Sequence, residues 1–221
     1  MLSVIIPALN AEESITATLA AINGTETEII VADGGSDDGT VPTAERAGAR
    51  LIKSAPGRGG QLAAGAAAAN GDWFLFLHAD TVLDAGWEEA VDNFMAAPEN
   101  RQLAGFFRFR LDDAAPAARM LERIVAWRTR VLGLPYGDQG LLISRDFYFR
   151  LGGFSNLVLM EDVEIARRIG KKRLRPLAAA AVTSAGRYRR EGYVRRPLKN
   201  LFCLGLYFAG LPPRLIERIY R

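Results

Sequence analysis

The chain alternates short apolar runs with amphipathic stretches of helical period, a pattern that predicts an α/β fold. Residues Trp73–Leu77 are uninterruptedly apolar, follow a turn-forming Asn-Gly-Asp, and end at a histidine and a carboxylate, His78 and Asp80. Such a run is typical of a central strand buried on both faces of a parallel sheet. The other predicted strands are Ser3–Pro7, Glu28–Ala32, Arg50–Lys53, Ala104–Leu111 and Leu141–Ile143. Since parallel sheets bind ligands at the carboxyl ends of their strands, Asp80 is expected near the chemistry.

The stretches between these strands predict helices. Asn10 and Glu13 have the spacing of a capping box, ahead of a helix that buries Ile15, Leu19 and Ile22. A second helix carries Trp87, Val91 and Phe94 on one face. Pro116 opens a third, and we interpret its stripe as core rather than as a cofactor site. The residues of that stripe are Met120, Ile124, Trp127 and Val131.

Carboxylates follow several of these strands, and each has two interpretations. Asp33 ends the second strand and precedes Gly34, so it is either a turn former or a hydrogen-bond acceptor for a base or ribose. Asp80 either caps a helix beginning near Asp84 or serves a ligand. Asp162 is either an ordinary acidic residue in a first helical turn or a catalytic group. The recurrence of polar residues at strand ends favours the functional interpretation of Asp80. For Asp162, taken without the other motifs, the ordinary first-turn interpretation is preferred.

A basic residue stands in the glycine-rich loop before the alanine-rich helix that ends near Asn70. Arg58 lies between Gly57 and Gly59. A fixed cation together with free backbone N–H groups at a helix N-terminus suits a pyrophosphate.

Composition limits the class of protein. The 221 residues, 49% of them hydrophobic, suffice for one domain with a sizeable core. Cys203 is the only cysteine, which fits a reducing, cytoplasmic compartment. The chain opens on a strand-like segment, so we expect no secretory signal. The longest apolar run, residues 201–211, is eleven residues long, fewer than a bilayer span needs.

Charge is distributed unevenly along the chain. Residues 171–221 hold 13 Lys and Arg against 2 Asp and Glu, a net charge of +11, whereas residues 1–170 carry −8. We therefore predict a globular domain over residues 1–185 and a basic amphipathic helical segment over residues 186–221.

Six motifs in order resemble the family 2 glycosyltransferases of the GT-A fold, over roughly residues 2–170. They are Val4–Glu12, Asp33–Ser36, Gly57–Gly59, His78–Asp80, Gly152–Phe154 and Glu161–Asp162. More narrowly, the His-Ala-Asp, Pro-Tyr-Gly-Asp-Gln-Gly and Leu-Met-Glu-Asp-Val-Glu segments resemble the radical-SAM/selenodomain-associated transferases. The resemblance implies a Rossmann-like domain with a mixed, mainly parallel sheet flanked by helices.

It also implies site residues. The resemblance places Asp33 at the uracil or ribose and Arg58 towards the pyrophosphate. Asp80 matches the last carboxylate of the family's metal-binding Asp-X-Asp motif, and Asp162 matches the general base. The remaining expected nucleotide contacts are Pro7, Ala8, Asn10, Glu12, Gly34, His78 and Ala79.

One position departs from the family pattern. His78 stands where the Asp-X-Asp motif has its first carboxylate. Mg²⁺ and Mn²⁺ prefer oxygen donors, so we favour a ribose-side or structural role for this imidazole over direct ligation. A divalent cofactor, Mn²⁺ or Mg²⁺, is expected at Asp80.

The implied reaction is transfer of a sugar from a nucleotide-diphosphate donor, expected to be a UDP-sugar, to an acceptor hydroxyl, with inversion. Asp162 would take the acceptor proton, and Glu161 would orient Asp162 or contact the donor sugar. Asp138 and Gln139 are weaker candidates for holding sugar hydroxyls. A sugar nucleotidyltransferase is disfavoured, because residues 8–12 lack a glycine-rich phosphate loop. A non-catalytic module that binds nucleotide or membrane is disfavoured by the presence of Asp33, Asp80 and Asp162.

The basic tail leaves alternatives open. Residues 195–221 form either a peripheral contact with an anionic membrane, as for a lipid-linked acceptor, or a segment that docks on the enzyme's own core or on a second subunit of a homodimer. Residues 187–190 are expected to close over the diphosphate. Basic residues flank the apolar run on both sides; they are Arg195, Arg196, Lys199, Arg214, Arg218 and Arg221. No nucleic-acid partner is expected.

Overall fold

In the computed structural model, which describes residues 1–22 and 27–220, a sheet of eight strands forms the centre of the fold. Arg221, the last cation of the predicted tail, lies outside the described residues. The strands are β1 (Leu2–Ala8), β2 (Thr27–Asp33), β3 (Arg50–Lys53), β4 (Trp73–Phe76), β5 (Thr81–Leu83), β6 (Ala104–Leu111), β7 (Leu141–Ser144) and β8 (Leu174–Thr183). The helices are α1 (Glu12–Ile22), α2 (Thr40–Arg46), α3 (Arg58–Ala68), α4 (Trp87–Ala96), α5 (Pro116–Leu132), α6 (Arg145–Arg150), α7 (Glu161–Ile169), α8 (Gly186–Glu191), α9 (Arg195–Phe208) and α10 (Pro213–Tyr220).

The order of strands in the sheet is β3-β2-β1-β4-β7-β6-β8-β5. The four strands from β3 to β4 are mutually parallel, as are β6 and β8, whereas β7 runs antiparallel to both its neighbours and β5 antiparallel to β8. The predicted mixed, mainly parallel sheet is therefore confirmed. β4 lies in the middle and is buried along its whole length, as its apolar run indicates.

One edge of this sheet gathers the polar residues. Ala8 at the end of β1 pairs with Asp33 at the end of β2, and Phe76 at the end of β4 pairs with Leu141 at the start of β7. The carboxyl ends of the parallel strands therefore meet the loop that precedes β7. Functional side chains on these four connections share one rim.

Two local predictions are wrong. The capping box of α1 does not form: Asn10 adopts a left-handed backbone (φ 49°), and its side chain accepts a hydrogen bond from the Asp37 backbone N–H, 3.0 Å away. The predicted helix near Asp84 begins only at Trp87, because β5 intervenes. Asp80 therefore does not cap a helix.

The interpretation of the α5 stripe as core is also wrong. Met120, Ile124, Trp127 and Val131 are exposed, and Trp127 keeps 59% of its surface. A second, smaller stripe faces the sheet instead, formed by Ala118, Leu121, Val125 and Thr129. Both stripes have helical period, so spacing alone does not identify the buried one.

The basic tail folds as three helices rather than one. On α9, Cys203 and Leu204 are buried against α7, whereas Leu201 and Phe208 are exposed. Docking on the enzyme's own core, one of the alternatives left open for the tail, therefore accounts for only one face of this helix. None of the helices within residues 1–22 and 27–220 combines the length and apolarity needed to cross a bilayer.

Candidate active site

The loops after β1 and β2 hold each other in place at the rim. The Asp33 carboxylate accepts hydrogen bonds from the backbone N–H groups of Gly35 and Ser36 and from the Ser36 hydroxyl. Glu12 accepts from the Gly39 backbone N–H at 3.0 Å. Asp33 therefore stabilises its own turn, and the contact with a nucleotide stays a prediction. A carboxylate oxygen retains further lone pairs for such a contact.

Behind these loops, a buried amide joins the two strands. Gln61 on α3 donates from Nε2 to the carbonyl oxygens of Ala8 (2.7 Å) and Ala32 (2.8 Å). Gly34 lies against it, since a Cβ there would come within 3.1 Å of the Gln61 amide. This packing fixes the strand ends that the sequence analysis assigned to the nucleotide, including Pro7 and Ala8.

The glycine-rich loop is less open than predicted. The Gly59 N–H donates to the carbonyl oxygen of Leu157 at 3.0 Å, so this first-turn donor of α3 is already satisfied. A Cβ on Gly59 would lie 2.2 Å from the Ser155 carbonyl oxygen, which makes glycine necessary there. One backbone donor of the predicted diphosphate site is therefore occupied, and the diphosphate contact of Arg58 stays a prediction.

Arg58 points instead into a cluster of carboxylates. Its Nη1 lies 3.5 Å from Oε1 of Glu161, which is 1% exposed. Burial opposes the charge of Arg58, but the carboxylates of Glu161, Asp162 and Asp80 raise its pKa above the ordinary value. The guanidinium is thus the fixed positive charge at the centre of this cluster.

Glu161 is the most constrained of these carboxylates. Its Oε2 is buried and has no hydrogen-bond partner among the described residues. Burial raises the pKa of Glu161, Arg58 lowers it, and neighbouring Asp162 raises it further; the net shift is upward. The Arg58 ion pair compensates only part of the desolvation cost.

Asp162 follows at the first turn of α7, where backbone N–H groups hold it. Its Oδ2 accepts from the Gly137 N–H at 2.8 Å, and its Oδ1 accepts from the Val163 N–H at 2.7 Å. These two hydrogen bonds fix the orientation of the carboxylate. Asp162 is only half-buried, and it lines two neighbouring cavities.

The His-Ala-Asp segment forms the turn between β4 and β5. Thr18 Oγ1 donates to the Ala79 carbonyl at 3.0 Å, and the Thr81 N–H donates to the His78 carbonyl. Across residues 1–22 and 27–220, nothing hydrogen-bonds the Asp80 carboxylate. The backbone is thus fixed while the carboxylate stays available to a ligand.

His78 is neutral in this environment. Burial lowers its pKa well below the ordinary value, and Arg58 and Arg187 lower it further. Its Nε2 packs against Gly137, since a Cβ there would lie only 2.3 Å away. Of the predicted lid, Arg187 acts on His78 through its charge, whereas Arg189 pairs with the carboxylate of Asp113.

In the turn Gly137–Gln139, the Gln139 amide is hydrogen-bonded within the protein, whereas one carboxylate oxygen of Asp138 is not, over residues 1–22 and 27–220. Gln139 accepts from the Thr129 hydroxyl and donates to the Phe107 carbonyl, so its amide anchors the turn. The sugar contact expected of Gln139 stays a prediction. Asp138 has a buried Oδ1 without a partner among the described residues. Burial raises the pKa of Asp138 to about 6, with Arg128 opposing and Asp162 adding to the shift.

Two neighbouring cavities lie at this site and share Tyr136 and Asp162. Their linings do not include Asp33, Asp80 or Asp138. The first, about 430 Å³ including its mouth, is lined by His78, Gly137 and Glu161 among others. The second, about 410 Å³, is lined by Arg58, Met160, Asn200 and Tyr220 among others. The sequence analysis missed Asn200 and Tyr220, whose position depends on how the C-terminal helices dock.

The carboxylates of Asp80 and Asp138 are the groups of this site that could hold a divalent ion. Among the described residues, no three His, Cys, Asp or Glu side chains are arranged to hold a metal on their own. Mg²⁺-type ions, however, are commonly held by one or two carboxylates together with substrate phosphates. The Asp80 carboxylate and the unpartnered Oδ1 of Asp138 fit that arrangement. The two groups are close enough that the charge of Asp80 raises the pKa of Asp138.

Sequence comparisons with known proteins identify a family. The sequence model of the family described as glycosyl transferase family 2 matches residues 3–155. Uncharacterized glycosyltransferases of Mycobacterium tuberculosis and Mycobacterium bovis are 39% identical over 85 residues, which are 38% of this chain and 38% of each relative. The chain thus aligns with well under half the length of these relatives.

Solved structures share the fold at low sequence identity. TarS residues 1–349 from S. aureus, in complex with UDP-GlcNAc, has a TM-score of 0.66 at 17% identity, covering 99% of this chain and 70% of that one. Glucosyl-3-phosphoglycerate synthase from M. tuberculosis, in complex with Mn²⁺, UDP and glucosyl-3-phosphoglycerate, has a TM-score of 0.60 at 22% identity. That match covers 83% of this chain and 70% of the synthase. The narrower resemblance to radical-SAM/selenodomain-associated transferases stays a prediction.

Proposed function

The chain belongs to glycosyl transferase family 2, and from that premise we propose that it transfers a sugar from a UDP-sugar to an acceptor hydroxyl. The observation that carries the proposal is that Arg58 and Asp162 line one cavity, while the charge of Asp80 acts on the same Arg58 guanidinium. A cation, a free carboxylate and a positioned base are the groups that such a transfer needs. The UDP bound to the structural relatives supports the choice of nucleotide.

In this proposal the donor lies along the rim. The uridine packs near Asp33 and the loop after β1, and the diphosphate extends towards Asp80. The bond between the anomeric carbon and the diphosphate breaks, leaving negative charge on the diphosphate. Arg58 stabilises that charge as it develops. Asp80, with Asp138 beside it, would hold a divalent ion, whose charge would add electrostatic stabilisation of the leaving group.

Asp162 is the proposed general base. Its carboxylate is held by two backbone N–H groups, and the residue lines both cavities. The acceptor hydroxyl loses its proton to Asp162 as its oxygen bonds to the anomeric carbon. Direct attack from the side opposite the diphosphate inverts that carbon. Glu161, paired with Arg58, positions the guanidinium.

A donor screen tests the proposed function. Nucleotide sugars and free nucleotides are added to the purified protein with and without Mn²⁺, and the unfolding temperature is measured. A ligand that binds only the native state raises this temperature, so UDP and one UDP-sugar are expected to do so in the presence of metal. Slow hydrolysis of the same donor would show the sugar as free hexose. If no nucleotide stabilises the protein, the proposal is wrong.

A further inference from the structure

Exposed apolar side chains are concentrated on three helices. Among the described residues, twelve of the fifteen large hydrophobic side chains that are exposed lie on α5, α9 and α10 or next to α9. A scattered distribution would need no explanation, but a concentration of this size marks a contact surface. We call these twelve side chains the apolar face. They are Met120, Ile124, Trp127, Val131, Leu132, Val194, Leu198, Leu201, Phe202, Phe208, Leu215 and Ile219.

α9 shows that this exposure is systematic. Val194, Leu198, Leu201 and Phe202 recur at helical spacing, and each is at least 58% exposed. The opposite side of the same helix packs on α7, where Cys203 is fully buried. α9 is therefore apolar on two sides, and packing against the core of the protein explains only one of them.

Cations accompany the apolar face on each helix. On α10, Leu215 and Ile219 form one exposed row, and Arg214 and Arg218 form the row beside it. Long basic side chains in this position reach a charged headgroup layer while their stems lie along apolar surface. The exposed cations of the other two helices are Arg123 and Arg130 on α5 and Arg195 on α9.

Contacts at both ends place α5 and α9 side by side. The Tyr193 hydroxyl, just before α9, donates to Asp113 Oδ2, just before α5, at 2.7 Å. At their other ends, both helices contact the segment around the end of α7. Those contacts join Lys171 to the Val131 carbonyl and Arg167 to the Phe208 ring. The two helices therefore run between the same two regions of the molecule, and Trp127 tests whether their exposed apolar stripes act together.

We propose that the apolar face lies on the surface of an anionic membrane. Burial of apolar side chains and attraction of Arg and Lys to acidic headgroups act together at such a surface. A second copy of the chain is a poorer occupant, because a two-fold contact would bring two copies of the same positively charged patch together. No helix crosses the bilayer in this arrangement, and binding is peripheral.

The position of the active site gives this surface a purpose, which rests on the proposed function. The buried sides of α9 and α10 contribute Asn200 and Tyr220 to the cavity that contains Arg58 and Asp162. A membrane on the outer side of these helices thus lies one helix layer from the cavity. The acceptor class that this arrangement suits is a hydroxyl or phosphate carried on a lipid.

Vesicle flotation tests the proposal directly. The full chain is mixed with neutral phosphatidylcholine vesicles or with vesicles containing 30–40% phosphatidylglycerol, roughly the range in which surface charge dominates such binding. We expect flotation with the anionic vesicles, at least about tenfold weaker binding to the neutral ones, and weakening with salt. Leu198→Gln/Leu201→Gln/Phe202→Gln should lose most of the binding while keeping the wild-type unfolding temperature. Absence of flotation with anionic vesicles would overturn the proposal.

Charge variants supply the matched control. Arg214→Glu/Arg218→Glu should weaken binding to anionic vesicles about tenfold or more, because two attractive charges become repulsive. Lys53→Glu/Arg101→Glu changes net charge equally at exposed positions away from the apolar face and should bind as wild type. Equal loss in both pairs would show that only net charge matters, against a defined surface. A concentration-dependent dimer lost in the triple Gln variant, without flotation, would assign the face to a second copy instead.

Trp127 reports whether α5 takes part. Trp73 and Trp87 are 4% and 5% exposed, so a change in emission on adding vesicles arises from Trp127. We expect a blue shift with anionic vesicles that Trp127→Phe abolishes; flotation without this shift would remove α5 from the surface. Calorimetry of UDP with Mn²⁺ separates the two proposals. UDP binding without flotation refutes the proposed membrane surface alone. Flotation without UDP binding refutes the proposed transfer from a UDP-sugar alone.

Discussion

The backbone N–H of Gly137 donates to Oδ2 of Asp162 at 2.8 Å, across 25 residues of sequence. This hydrogen bond joins the turn before β7 to the first turn of α7. It fixes the carboxylate that the sequence analysis proposed as general base, and it does so from the segment that also carries Asp138. The two motifs Pro-Tyr-Gly-Asp-Gln-Gly and Glu-Asp are therefore parts of one structural unit.

Replacement of the base tests its proposed role. Asp162→Asn keeps an oxygen that accepts from Gly137 but removes the site for the acceptor proton. We expect transfer to fall by at least about 100-fold while UDP affinity stays within a few-fold, because the base acts only in the transition state. Steady-state rates and calorimetry on the same preparation check both parts.

Glu164→Gln is the matched control for this substitution. Glu164 lies on the same helix and pairs with Arg168, away from the proposed reacting atoms. It should retain near wild-type turnover. Unchanged turnover in Asp162→Asn would remove Asp162 from the mechanism.

Asp80 is the residue expected to link nucleotide binding to a divalent ion. Asp80→Asn removes the charge of a carboxylate that has no hydrogen-bond partner among residues 1–22 and 27–220, so little effect on stability is expected. Mn²⁺ should strengthen UDP binding to the wild type and leave the affinity of the variant unchanged within about twofold. Titration calorimetry with and without Mn²⁺ measures this difference. Asp72→Asn, an exposed carboxylate before β4, should respond to Mn²⁺ as wild type does. Persistence of the Mn²⁺ effect in Asp80→Asn would place the ion elsewhere.

The central part of the fold was predictable because local pattern and tertiary burial agree there. The apolar run of β4 has only one way to be buried, in the middle of a sheet. The alternation of Phe107 and Phe109 with Arg108 and Arg110 likewise matches the burial of β6. Carboxylates at strand ends then follow from the topology of parallel strands.

The failures have a different physical cause: they concern contacts between segments distant in sequence. β8 was missed because its run of alanines also suits a helix, and only pairing with β6 and β5 makes it a strand. The Gly59 donor was expected to be free, yet Leu157 occupies it from almost 100 residues away. The same limit applied to Asn200 and Tyr220, whose role depends on the docking of two terminal helices.

Asp138 makes stability depend on pH. Burial raises its pKa to about 6, above the ordinary value of 3.8, so the folded state favours the protonated carboxyl. This contribution is complete below about pH 4 and is lost as pH rises through 6, because the unfolded chain then releases the proton more readily. A shift of about two units corresponds to roughly 3 kcal/mol as an upper value.

Asp138→Asn should therefore be more stable than wild type at pH 8, with the advantage disappearing near pH 4. Denaturant unfolding of both proteins across this range measures the difference in the free energy of unfolding. Asp146→Asn, in the first turn of α6, serves as the control and should show no such trend between pH 5 and 8. A constant difference between Asp138→Asn and wild type at all pH values would contradict the burial argument.

The contact between Gly137 and His78 allows a test by coupled substitution. A Cβ on residue 137 would lie 2.3 Å from Nε2 of His78, so Gly137→Ala forces the imidazole to move and should cost about 1–3 kcal/mol of unfolding free energy. In a His78→Ala background the methyl group fits the space left by the ring, and the cost should fall by at least about 1 kcal/mol. Gly205→Ala, where a Cβ meets nothing within 4 Å, should have the same effect in both backgrounds. Urea unfolding of the four proteins of each cycle measures the coupling. An equal cost of Gly137→Ala with and without His78 would show that the strain lies in the backbone of the turn rather than against the imidazole.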